Sequence, residues 1–375
     1  MNYWINNYII IIAVAILLGA FLIPKILHIA YRLKLYDEAN DRKIHVGAVP
    51  RLGGISFLPS IGIAFCIGVG VNLRLFGNIM TEEIESSLVS LMYLASALLI
   101  IYMLGITDDL VGVRYRSKFL FQILVGVLIA FSGLWIDNLF DFLWIGPVSP
   151  VVGWLLTIFL VIYVLNAINL IDGIDGLASG LSIVALGWYS IIFFEVGDYI
   201  TMLLAGAAIG TLIPFFIYNV FGKVSRQTKI FMGDTGSLTV GLIIVYLTVK
   251  VAHIPADTSG CCPNLFILAT APLIIPCFDV VRVFIHRVRK RRNPFLPDKG
   301  HIHHKLLAIG LPQGWALVVI MICDIGFIVI NYLCSISIEP TWIILGDIVI
   351  WTGINLLLTS AIRRREQATG KELYN

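Results

Sequence analysis

Along this chain, apolar runs of about twenty residues alternate with short polar stretches, and twenty residues is what a ~30 Å hydrocarbon core requires of a helix. Eleven spans are predicted on that pattern, near 4–24, 52–72, 87–106, 118–135, 151–168, 177–195, 200–218, 236–252, 264–284, 315–334 and 341–360. The chain from 1 to 375 therefore reads as one all-α, polytopic membrane helix bundle. Its polar loops fall at 25–51, 107–118, 166–176, 219–235 and 285–314, with a polar tail over 361–375. The first run, Trp4 to Ile23, has no Lys or Arg before it and no small-residue cleavage pattern after it. It reads as a spanning helix and not as a signal peptide. Gly206 and Gly210 suit close helix packing, and Pro214, Pro272 and Pro276 are candidate kinks.

Composition agrees with the pattern. Charged residues make up 13% of the chain, about half the share usual in soluble proteins, and hydrophobic residues 59%. The distribution of charge adds orientation. All but two of the 26 Lys and Arg, Arg74 and Lys250, fall on one set of alternate loops, while Glu82, Glu83, Glu85, Asp137, Asp141, Glu195, Asp198 and Asp257 fall on the other. Basic loops stay cytoplasmic, which puts the amino terminus outside and the carboxyl terminus inside. The run Arg287, Arg289, Lys290, Arg291, Arg292 is accounted for by anionic lipid headgroups, and no nucleic-acid role is needed. The six cysteines form no CxxC pair, which argues against a disulfide framework or a thiolate metal site.

The chemistry collects on the basic face. The stretch NAINLIDGIDGLASG, Asn166 to Gly180, carries Asn166, Asn169, Asp172 and Asp175 at every third position. Neighbouring members share a helix face, and all four align if the turn tightens to 3₁₀. The same face receives Arg42, Lys43 and His45 followed by PRLGG (Arg51), then Asp108 and Asp109 in GITDDL. It also receives Asn219, Lys229 and Asp234 in FMGDTGS, and His301, His303 and His304 in PDKGHIHHKL. Asp108 and Asp109 stand at the carboxyl end of a helix, where the macrodipole disfavours each by ~0.3–1 kcal/mol, so a purely structural role suits them poorly. Asp234 reads equally well as an ordinary N-cap. Several carboxylates on one face call for a cation, and oxygen ligands without thiolates favour Mg²⁺, or Mn²⁺, over zinc. Cationic side chains around such an ion suit a phosphate-rich substrate and phosphoryl transfer.

These motifs together, in this order and on one side, resemble the polyprenyl-phosphate N-acetylhexosamine-1-phosphate transferases of the glycosyltransferase 4 family. The resemblance runs from Asp41 to Leu306. It implies a multi-pass enzyme of the bacterial inner membrane, with a cytoplasmic active site. Such an enzyme uses Mg²⁺ to move a sugar 1-phosphate from a UDP-N-acetylhexosamine onto undecaprenyl phosphate, releasing UMP. It further implies Asp108, Asp109, Asp172 and Asp175 as catalytic residues, with Asp108 as base or orienting group for the lipid phosphate. Asn169 and Asp234 would hold the metal and the pyrophosphate. Lys43, His45 and Arg51 would lie near the lipid phosphate, Asn219 would face the nucleotide, and His301, His303 and His304 would grip the donor phosphates. HIHHKL, together with a further span after the Trp315 helix, resembles the N-acetylglucosamine branch. The phospho-MurNAc-pentapeptide branch, with three consecutive histidines followed by Phe and Glu, is the alternative. A homodimer is left open.

Two other classes use some of the same residues. DTGS is also the loop of an aspartic protease, which leaves the amides and histidines idle. Acids in spans also mark cation transporters, but there they lie near the midplane.

Overall fold

The computed structural model describes residues 2–36, 49–254, 264–291 and 300–370, and of 75–86 the backbone alone. Lys43 and His45 lie outside the described residues. The helices are α1 (Asn2–Arg32), α2 (Phe57–Val111), α3 (Tyr115–Phe131), α4 (Pro150–Ile171), α5 (Leu177–Glu195) and α6 (Tyr199–Phe221). They continue with α7 (Gly233–Ala252), α8 (Leu265–Thr270), α9 (Ile274–Arg289), α10 (Ile302–Ala308), α11 (Gln313–Cys334) and α12 (Pro340–Thr369). Among the described residues, ten helical segments are long and apolar enough to cross a membrane.

The fourth expected span, 118–135, begins and ends three to four residues earlier than predicted. It forms α3, whose 17 residues reach about 25 Å. Gly133 at φ +91° stops it, and the chain enters an antiparallel hairpin, β1 (Asn138–Phe142) and β2 (Ile145–Pro147), that the apolar pattern did not announce. Spans 52–72 and 87–106 lie in one helical run, α2, and its two ends meet the same segment. The Gly53 amide donates to Phe231 O (3.0 Å), and Asp109 accepts from the Asp234 amide (2.8 Å). The run therefore doubles back. Pro272 sits in a 3₁₀ turn, Ala271–Leu273, that separates α8 from α9, as a residue without an N–H should.

Helix α7 is the central post. In its most apolar window 89% of residues are buried, against 22% in α1 and α12, and it packs against α2, α4, α5 and α8. Its hydroxyls turn back onto its own backbone, Thr239 to Thr235 O (2.6 Å) and Thr248 to Ile244 O (2.8 Å), so they enter the apolar interior already satisfied. Because the post stands at the middle of the bundle, whatever its amino terminus carries lies at the middle of one face. Gly206 and Gly210 let α6 press on α1, as the small-residue pattern predicted. A methyl at Gly206 would sit 2.5 Å from the Tyr8 ring, and one at Gly210 would sit 2.5 Å from Ile12 O.

The last two spans hold buried polar groups. Asn331 of α11 donates to Asp347 of α12 (2.9 Å). Asp324 of α11 is fully buried, and neither carboxyl oxygen meets a hydrogen-bond partner.

Candidate active site

The site is built on the amino terminus of α7. Gly233 takes φ +71°, a value open to glycine at little cost, and there is no room for a side chain: a methyl would sit 2.2 Å from Arg51 O. The turn aims the next two amides at Asp109, whose carboxylate accepts from Asp234 N–H (2.8 Å), Thr235 N–H (2.9 Å) and Thr235 Oγ1 (2.6 Å). Asp109 therefore caps α7 from another helix, the charge sign that a helix amino terminus favours. The N-cap expected of Asp234 is supplied by Asp109, and the Asp234 side chain is released to face the site.

The loop containing Arg51 is stitched to the same turn. The Phe231 amide donates to Pro50 O (2.9 Å), and the Gly54 amide to Met232 O (2.9 Å). A methyl at Gly54 would lie 2.0 Å from the Gly236 amide nitrogen, and one at Gly105 of α2 would lie 2.4 Å from Thr235 Cα. Three backbones meet here with no side chain between them, which fixes Arg51, Asp109 and Asp234 relative to one another.

Asp108 stands beside this post. Gly112 at φ +77° ends α2, and Asp108 Oδ1 catches the Val113 amide beyond it (2.6 Å). Its other oxygen pairs with the Lys118 ammonium of α3, which also donates to Asp234 Oδ2 (2.6 Å). Lys118 thus lies between two carboxylates from different helices and compensates the charge that the end of α2 disfavours. It was not singled out from the sequence, because nothing local marks it: it is one of three basic residues in its loop.

The four-residue Asn/Asp series is split. Helix α4 stays α-helical to Ile171, so each three-residue step falls about 60° short of a full turn and the 3₁₀ alignment is not realised. Asn166 instead faces α3 and donates to Gln122 Oε1 (2.8 Å). Asn169 faces α7, donating to Asp234 Oδ1 (3.1 Å) and Ser237 Oγ (2.8 Å). Asp172 and Asp175 lie past the helix end. Burial, then the negative charges of Asp175 and Asp234, pushes the Asp172 carboxyl up to about 7, and the Arg51 charge works against that rise. Asp175 pairs with the buried Lys229 ammonium (2.5 Å). Asn219, expected at the nucleotide, spends its amide on backbone: Oδ1 accepts from Gly176 N–H (2.6 Å), and Nδ2 donates to Ile230 O (2.8 Å). Its observed job is to tie the Asp175 loop to the segment before α7.

The histidines close the far side. His303 is 1% exposed, neither ring nitrogen has a hydrogen-bond partner, and a methyl on Gly173 would lie 2.1 Å from its Nε2. Burial, then the His304 and His301 charges, brings its imidazole down to about 3. The His301 and His303 rings lie parallel with centroids 5.8 Å apart. Behind them, Asp279 of α9 accepts from His301 Nδ1 (2.8 Å), Ile302 N–H (3.1 Å) and the Arg282 guanidinium (2.7 Å). Asp279 therefore orients His301 and anchors the start of α10. Sequence reading missed it because an Asp within a span, 22 residues before the histidine, carries no local motif.

Arg51, Asp108, Asp109, Asn169, Asp172, Asp175, Asn219, Asp234 and the His301–His304 segment thus belong to one face of the bundle, linked by the contacts above. The described residues include no cluster of three His, Cys, Asp or Glu side chains that would hold an ion unaided. A hard divalent ion needs none, since Mg²⁺ takes one or two carboxylates and completes its shell from water and substrate phosphates. Asp108 and Asp234 share one cation already, the Lys118 ammonium, and Asn169 adds a neutral amide beside them. That donor set fits Mg²⁺.

The glycosyl transferase family 4 profile matches residues 91–252. The chain is 31% identical over 323 residues to an undecaprenyl-phosphate alpha-N-acetylglucosaminyl 1-phosphate transferase of Yersinia pestis, covering 85% of this chain and 82% of that protein. It is 31% identical to a probable undecaprenyl-phosphate N-acetylglucosaminyl 1-phosphate transferase of Bacillus subtilis (84% and 81% covered). With the corresponding transferase of Escherichia coli K12 it shares 30% identity (84% and 81% covered). Aspartic-protease and transporter readings of the acids give way to this likeness. The α7 turn, the carboxylates gathered on it and the histidines packed against the Gly173 loop lie in a chain that belongs to glycosyl transferase family 4 and is a phosphoglycosyl transferase.

Proposed function

We propose that this enzyme transfers N-acetylglucosamine 1-phosphate from UDP-GlcNAc to undecaprenyl phosphate, at the cytoplasmic face of the bacterial inner membrane, giving the lipid-linked pyrophosphoryl sugar and UMP. Such a product is the first membrane intermediate of a cell-envelope polysaccharide. The observation that carries the reading is the pair of carboxylates, Asp108 and Asp234, held around one cation beside Asn169, with the unpartnered His303 packed on Gly173 of the loop that follows Asn169. That arrangement suits two phosphate groups brought together under opposite charge.

In the reaction, an oxygen of the lipid phosphate attacks the donor phosphorus that bears the sugar. The bond from that phosphorus to the bridging oxygen breaks, and its electron pair leaves on UMP. A phosphate monoester has a second pKa near 6 and is largely a dianion at neutral pH. Asp108 therefore orients the lipid phosphate more than it deprotonates it, and positioning supplies most of the rate. Asp108, Asp234 and Asn169 would hold Mg²⁺, which when bound supplies positive charge to the transferring phosphoryl oxygens. Asp109 and Asn219 act through the backbone they fix. His303, whose two ring nitrogens have no partner within the protein, is assigned to a donor phosphate, to which its ring N–H would donate. Arg51, with Lys43 and His45 preceding it in the chain, is assigned to the lipid phosphate.

Purified protein in undecaprenyl-phosphate vesicles, offered UDP-GlcNAc or UDP-MurNAc-pentapeptide, tests the donor by UMP release and lipid product. Product from the pentapeptide donor alone reverses the assignment. Chelation with EDTA is expected to stop turnover, and Mg²⁺ or Mn²⁺ to restore it. Direct displacement fails if substrate traps a covalent phosphoryl-enzyme.

A further inference from the structure

Helix α10 carries the histidine motif, yet it has only seven residues, and a helix that short is not stable by itself in water. Its position must be imposed from outside. Asp279 of α9 fixes its start, as described above. Its other end is held by α12, which contributes no residue to the reacting groups. Lys305, 5% exposed, points its ammonium into α12 and donates to Asn355 Oδ1 (3.1 Å) and Thr359 Oγ1 (3.1 Å). Further along α12, Arg365 donates to the carbonyl of Ala308 (3.0 Å), the last residue of α10, and its guanidinium lies against Gly310. Both groups place positive charge at the carboxyl end of α10, the sign its exposed carbonyls favour.

We propose that α12 is a positioning brace for the histidine motif, with Lys305 and Arg365 as its two rungs, setting the distance between His303 and the Asp172 loop and so the affinity for the nucleotide sugar. The inference rests on the reading that the histidines grip the donor. In that scheme Lys305 and Arg365 touch neither substrate. They act through α10 on His303, which presses against Gly173 and loses its place if the short helix tilts.

The test uses the full chain in vesicles with two variants. Asn355→Leu with Thr359→Val removes the two side-chain acceptors of Lys305 and leaves it only the longer bond to Asn355 O (3.4 Å) among those described. Arg365→Ala removes the second rung at an exposed position, where folding is not at risk. Steady-state kinetics with UDP-GlcNAc are expected to show KM for the donor raised roughly tenfold in either, against the hundredfold that a 1 Å misplacement can cost. Under the proposal, kcat and KM for undecaprenyl phosphate change little. Hydrogen exchange over 302–308 should quicken in both. A fall in kcat at unchanged donor KM marks a merely structural role and overturns the proposal, as does unchanged exchange of that segment in folded protein. Failure of the wild type to use UDP-GlcNAc would instead refute the donor assignment, while the exchange measurement would still read the brace.

Discussion

Asp109 offers the sharpest separation of chemistry from positioning. Its neighbour Asp108 looks identical in the sequence, but Asp109 gives its carboxylate to two amides and a hydroxyl at the start of α7. If its task is to hold that turn, removing a group it holds must hurt activity although the carboxylate itself remains. Thr235→Val deletes the shortest of the three bonds, 2.6 Å, and keeps the shape of the side chain. A hydrogen bond to a charged group is worth about 1.5–3 kcal/mol, so the loss in kcat/KM is bounded at roughly 10- to 150-fold if all of it reaches the transition state. Asp109→Asn goes further. Its amide can present an oxygen to one donor only by turning NH₂ toward another, leaving a buried donor unsatisfied at about 1–3 kcal/mol beyond the bonds lost. Lipid-product formation from UDP-GlcNAc, normalised to folded protein, should therefore fall in both variants, more in Asp109→Asn. The reasoning is refuted if Thr235→Val is silent while Asp109→Asn is dead, because that pattern belongs to a group acting directly on substrate.

Gly54→Ala drives a methyl to 2.0 Å from backbone that cannot turn aside; the variant should unfold in detergent well below the wild-type temperature, and a wild-type melting curve would contradict the packing described. Lys229→Met should be strongly destabilising, by about 3–5 kcal/mol, because it strips the buried partner from Asp175, and adding Asp175→Leu should recover part of the loss; denaturant titration without any recovery would count against the pairing. For His303 the folded pKa, about 3, lies below the ordinary 6.5, so below pH 6.5 the unfolded chain binds the proton first. Stability from this group is complete above 6.5 and lost as pH falls toward 3, about 2 kcal/mol by pH 5 at ~1.4 kcal/mol per unit. His303→Phe should flatten that share of the acid limb in thermal melts between pH 7 and 5, and an unchanged slope would remove the assignment.

Much of the architecture was legible because span length and loop charge are local properties. The polar motifs were legible for the same reason, each being a short polar interruption of apolar sequence. Pairings across the chain were not. The carboxylate that caps α7 comes from 125 residues upstream, and hydropathy is blind to which of two adjacent acids will do it. Lys118 and Asp279 went unmarked since each is ordinary in its own loop or span and acquires meaning only from the partner it meets. The series from Asn166 to Asp175 misled through its period: three-residue spacing suggested a single face, but the helix kept 3.6 residues per turn and sent Asn166 to a neighbour. Span 118–135 ends earlier than expected because Gly133, unremarkable in sequence, takes a left-handed turn that follows the last helical residue.

Asp324 bears on how the protein is made. At the centre of a lipid-facing helix an aspartate costs about 2.5–3.5 kcal/mol to insert, and in the finished bundle this one is wholly enclosed by protein. Helix α11 therefore gains from leaving the translocation channel only when earlier helices are waiting to receive it. Asp347, which meets Asn331 across the α11–α12 contact, extends the same demand to the final segment. Replacing Asp324 by Leu should let α11 integrate unaided in a glycosylation-mapping assay, whereas equal integration of the two sequences in isolation would show that no such sequence of arrivals is imposed.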